Sequence, residues 1–111
     1  MLREIKGTQR LPRLLAFKVT GTGTAAINEG VNDAVLVDNG TGDYTLTFAK
    51  PFARTPVVNV SIQGGATTLL ARIHALSATA VQIKLFAVDG TTATDGIFHA
   101  QVIGWDTADQ Y

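Results

Sequence analysis

Apolar and polar side chains alternate along most of this chain with a period of two. In residues 44–48, Tyr44, Leu46 and Phe48 alternate with Thr45 and Thr47. In residues 58–62, Val58, Val60 and Ile62 alternate with Asn59 and Ser61. Such alternation puts one set of side chains on a core and the other toward solvent, so both stretches predict strands. The link between them carries Pro51 and Pro56, which lack the N–H that a ladder needs, and predicts a sharp turn. The same pattern recurs on either side. Residues 14–20 predict a strand with Leu15, Phe17 and Val19 on one face. Residues 24–27 predict a short strand, 28–32 a polar loop, and 34–37 another strand. Asp38, Asn39 and Gly40 then signal a turn, because Asn and Gly tolerate positive φ. Residues 68–76 predict a strand with Leu69, Ala71, Ile73 and Ala75 toward the core. Val81, Ile83 and Leu85 define the next strand, and residues 97–105 the last, with Phe98, Ala100 and Val102 inward. The predicted core is Tyr44, Leu46, Phe48, Val58, Val60, Ile62, Val81, Ile83, Leu85, Phe98 and Val102. About eight short strands with turn signals every ~8–12 residues predict an all-β antiparallel sandwich.

Composition agrees with one folded domain. The chain has 111 residues, of which 46% are hydrophobic. There is no cysteine, which excludes disulfides, thiolate chemistry and Cys-based metal sites. No apolar run approaches the ~18–20 residues that span a membrane as a helix. The opening residues scatter charges through their apolar positions, unlike a secretory signal. Net charge is zero but uneven. Residues 1–18 hold Arg3, Lys6, Arg10, Arg13 and Lys18 against Glu4, a balance of +4, and the remainder carries −4. The chain therefore divides into a basic, extended N-terminal arm, residues 1–13, and a sandwich domain, residues 14–111. Arg3, Lys6, Arg10 and Arg13 with Leu2, Ile5 and Leu11 form a candidate docking segment. Charge there would steer encounter, and the apolar residues would prolong contact.

No catalytic, cofactor or metal site emerges from the spacing. His74 and His99 stand alone, without a His-x-His or His-x3-His pattern, so ordinary surface histidines are the expectation. Asp33, Asp38, Asp43, Asp89 and Asp95 lie beside Gly or Asn in loops. They read as turn chemistry rather than calcium ligands, because the spacing is not that of an EF-hand. The Gly-x-Gly strings at Gly21 and Gly40 open no helix, which removes a phosphate-binding reading. No nucleophile-elbow motif surrounds Ser61 or Ser77. Trp105, Ile103, Phe86 and Val88 place apolar groups on the polar side of their strands. They could form a sugar-stacking platform, a subunit interface or a second layer of core; an exposed apolar patch usually marks an interaction surface, which favours a subunit interface that includes Trp105. The arm's cations have no interleaved aromatics, which favours a protein over a nucleic-acid target.

The strand order GDYTLTFAKPFARTPVVNVSI, then ATAVQIKLFAVDG, then FHAQVIGWD, resembles the compact β-sandwich modules of tailed-bacteriophage virions. These include capsid decoration (cement) proteins, head fibres and tail-fibre tips. The resemblance covers roughly residues 40–106. It implies a jelly-roll-like winding, a homo-oligomer of trimeric type, and no enzymatic activity or cofactor. It implies a virion component, assembled in the host cytoplasm, whose partners are other virion proteins such as the major capsid protein. A chain that starts at Met1 with no shaft repeat fits a decoration subunit better than a fibre. A tail- or head-fibre receptor-binding module of lectin-like type is the alternative. H-type lectins share a comparable sandwich with an aromatic late in the chain, as Trp105 is here.

Overall fold

A computed structural model describes residues 11–64 and 68–106 of the chain. Within them the fold is all-β, with eight strands and no helix. The strands are β1 (Arg13–Thr20), β2 (Ala26–Glu29), β3 (Ala34–Gly40), β4 (Asp43–Phe48), β5 (Val57–Gly64), β6 (Leu69–Leu76), β7 (Ala80–Ala87) and β8 (Ile97–Gly104). They form two four-stranded sheets, ordered β2-β1-β8-β5 and β3-β4-β7-β6. Every pairing is antiparallel. This order establishes the two sheets and goes no further toward a jelly roll.

The sheets share one core, to which Leu15, Phe17, Val19, Phe98, Ala100 and Val102 of the first sheet bring their inward set. Tyr44, Leu46, Phe48, Val81, Ile83 and Leu85 answer from the second. The Tyr44 and Phe98 rings meet across the interface with centroids 5.7 Å apart. Nine of the eleven predicted core residues are buried, and Val60 and Ile62 are partly buried against the rest. Both lie on β5, which is an edge strand.

Three local readings change. The link after β4 is not a hairpin turn. It carries the chain from the second sheet to the first, so β4 and β5 are not neighbours. The third strand runs through the Asp38–Gly40 signal and ends at Gly40, with an irregularity between Asp38 and Gly40, and the turn falls at Thr41 and Gly42. In β6 the register shifts between Ile73 and Ala75, which brings Ala75 opposite the half-exposed Gln82 and Leu76 opposite the buried Val81. An extra residue in a strand reverses the inward set beyond it, so Leu76 takes the place predicted for Ala75.

The sandwich is pinned at one end by a buried junction. Asp95, in the β7–β8 loop, accepts from the Tyr44 hydroxyl at 2.5 Å and from the Gly42 N–H at 2.7 Å. The Gly21 N–H donates to the Gly96 carbonyl. Burial, and then the bond to Asp95, push the Tyr44 hydroxyl's pKa well above the usual phenol range. The phenol thus stays a neutral donor. Nearby, the Asp89 carboxylate is pulled down to about 2 by the Thr92 hydroxyl and the backbone N–H groups of Thr92 and Thr91. A depressed carboxylate supports its loop above its unfolded pKa, and that support is lost as pH falls through the folded value. The Thr91 and Thr92 amide NMR shifts should therefore hold at pH 4 and titrate with a midpoint near 2. A midpoint at the ordinary aspartate value of about 3.9 would show that these bonds do not form in solution.

Candidate functional site

The outward face of the first sheet gathers residues that are far apart in sequence. Register places Leu14 opposite Ile103, and Ile103 opposite Val57. These three apolar side chains make a row across β1, β8 and β5, exposed by 61%, 38% and 65%. Strand pairing builds such rows from every second residue, because cross-strand neighbours stand ~5 Å apart on one face. The row lies at the end where β1 begins. Leu11, 78% exposed, sits just before it in the chain.

The next rows are polar. Ala16, Gln101 and Asn59 are in register, followed by Lys18, His99 and Ser61. The small Ala16 side chain leaves a depression of about 370 Å³ along these rows, lined by Asn59, Ser61, His99 and Gln101. His99 donates through Nε2 to Gln63 Oε1 at 2.7 Å. The face is therefore an exposed apolar bar beside a shallow groove of amides, a hydroxyl and an imidazole.

Arg13 stands at the border of this face and belongs to the body rather than to the arm. It pairs with Gly104 in β1. Its guanidinium lies 4.0 Å over the Phe52 ring, bonds Asp106 at 2.8 Å and donates to the Pro51 carbonyl at 3.0 Å. The side chain is only 19% exposed. A cation so engaged closes the end of the sandwich. Phe52 was not predicted as core. It is buried, edge-on to Phe48 at 5.3 Å, and plugs the core beneath Arg13. A loop position has no period to reveal it. The Gly104 backbone packs so closely on Phe52 that a Cβ there would lie 2.5 Å from the ring.

Trp105 follows Gly104 directly and is half-buried, with its carbonyl accepting from Ala53 N–H at 2.9 Å. Ile103 and Trp105 sit at the end of the first sheet, whereas Phe86 is on β7 in the second sheet and Val88 just beyond it. The four apolar positions therefore do not form one patch. Phe86 lies under the Arg72 guanidinium at 5.3 Å. Leu2, Arg3, Ile5, Lys6 and Arg10 lie outside the described residues.

The loop carboxylates act in local turns and contacts. Asp38 accepts from Gly40 N–H, Asp43 from Gln82, and Asp89 from Thr91 and Thr92. His74 and His99 are on different sheets. Among the described residues no three His, Cys, Asp or Glu side chains converge. Comparison with protein families, curated proteins and solved structures finds no match.

Proposed function

We propose that this chain is a non-enzymatic virion subunit of a tailed bacteriophage, a capsid decoration or cement protein that docks on the major capsid protein and stabilises the particle. The observation that supports this reading is the exposed row of Leu14, Ile103 and Val57. It lies at the end of the sheet where β1 begins, next in the chain to the exposed Leu11. Apolar patches rimmed by polar groups supply residence time, and neighbouring cations supply steering. The docking residues are Leu2, Arg3, Ile5, Lys6, Arg10 and Leu11 of the arm, together with the row and Trp105.

The test is rebinding to particles from a culture whose phage encodes the chain. Removing residues 1–12 should leave the fold intact, because β1 begins at Arg13. Binding to particles should drop sharply. Replacing Arg3, Lys6 and Arg10 with Gln should chiefly slow association and weaken its salt dependence. Particle binding by the deletion variant equal to that of the intact chain would refute the arm as anchor.

The polar groove supports a second reading, a receptor-binding fibre module with lectin-like function. Amides, hydroxyls and imidazoles along a shallow face suit a neutral saccharide. Saccharide binding on a glycan array, abolished by Gln101→Ala, would favour that reading over decoration.

A further inference from the structure

Two four-stranded sheets leave four edges: β2 and β5 in the first, β3 and β6 in the second. An edge strand presents unpaired N–H and C=O groups and invites another strand. Proteins guard such edges with short strands, charges, prolines or bulges. Three of the four edges carry these guards. β2 has four residues and ends in Glu29. β3 carries Asp38 and an irregularity beside it. β6 carries Arg72 and the shift between Ile73 and Ala75. β5 is different. It has eight residues, VVNVSIQG, none of them charged, and its register runs unbroken over the six residues from Val57 to Ile62, shifting only at its end, between Ile62 and Gly64.

The core-facing residues of β5 are also incompletely covered. Val60 and Ile62 remain partly exposed, while their register partners Ala100 and Phe98 are buried. Among the described residues, β8 is the single strand paired with β5.

We infer that β5 pairs antiparallel with β5 of a second copy of this chain, about a twofold axis near Val60, to give a continuous eight-stranded sheet. In this register Val58 faces the partner's Ile62, and Val60 faces its own copy. Val60 is then covered by its own copy, and Ile62 by the partner's Val58. Asn59 falls opposite the partner's Ser61 on the outer face, a polar pair without charge. Pairing of β5 with another edge of a second copy would meet Glu29, Asp38 or Arg72, and each of those edges carries a register shift. The twofold pairing also closes at two copies, whereas head-to-tail pairing of unlike edges leaves an open chain. A strand cannot pair with its own copy around a threefold, so this edge does not build the trimer implied by the virion resemblance. The inference stands apart from particle docking and is tested without particles.

Sedimentation velocity of the full chain over a dilution series should show a monomer–dimer equilibrium. The paired variant Asn59→Lys with Ser61→Lys should dimerise about tenfold more weakly or worse, because like charges then sit directly opposite. The variant Asn59→Glu with Ser61→Glu should behave the same way. Mixing the two should restore the dimer. Both positions are exposed, so thermal unfolding followed by circular dichroism should show folded monomers in each case. A chain lacking residues 1–12 should still dimerise. The inference is overturned by a monomer at every concentration, by a trimer, or by a Lys variant that dimerises like the parent. It is also overturned if only the deletion creates the dimer, since the arm would then be what occupies the edge.

Discussion

Phe98→Ala should lower the unfolding free energy by about 3–5 kcal/mol, the cost of removing a buried aromatic and leaving a cavity. Phe98 is fully buried on β8, the strand flanked by β1 and β5, and its ring contacts Tyr44 of the opposite sheet. Collapse around the void would need both sheets to move, so the cost should not relax away. A domain of this size is stable by roughly 5–15 kcal/mol, and the loss is a large share of that. Urea unfolding should show a lower midpoint with an unchanged slope. Val57→Ala, at an exposed position on the same sheet, should change stability by about 0.5 kcal/mol or less. Equal effects of the two substitutions would contradict the assignment of inward and outward faces.

Gly42→Ala should cost about 2–5 kcal/mol through two separable causes. Gly42 has φ +63, where a side chain costs about 1–2 kcal/mol. Its added Cβ would also lie 2.6 Å from the Leu85 carbonyl oxygen and 2.8 Å from the Thr94 nitrogen. Both are backbone atoms and cannot rotate aside, and crowding of this kind costs about 1–3 kcal/mol. Relief would require shifting the Gly42 backbone, which donates to Asp95 and accepts from Leu85. Gly23→Ala separates the causes. Gly23 has φ +69 with nothing near its Cβ, so it should show the conformational cost alone. Identical losses at Gly23 and Gly42 would mean that the junction around Asp95 is loose.

The strands were legible because one face of each is buried. Where burial is strongest, in β1, β4, β7 and β8, alternation named the inward residues correctly. Period two fails where the backbone adds a residue. Nothing in LLARIHAL announces the shift after Ile73, so Ala75 was assigned inward in place of Leu76. Alternation also cannot say which sheet a strand joins. The run from Tyr44 to Ile62 reads as strand, sharp turn and strand, yet the prolines and buried Phe52 carry it from one sheet to the other. The exposed apolar row is the least legible feature. Leu14, Val57 and Ile103 each look like an isolated departure from pattern, and only the pairing of β1 and β5 on either side of β8 aligns them. Ile103 alone shows in the sequence, because it breaks the polar side of its strand. The contacts of Arg13 are not legible in the sequence, because its partners Phe52 and Asp106 lie far along the chain.

The virion-docking role is tested most directly by density-gradient banding of particles from a culture that encodes the chain, with the bands quantified by mass spectrometry. A decoration subunit predicts that the intact chain bands with the particles at a fixed ratio to the major capsid protein. It also predicts that a Leu14→Ser, Ile103→Ser variant stays at the top of the gradient. Particles that carry none of the intact chain would contradict it.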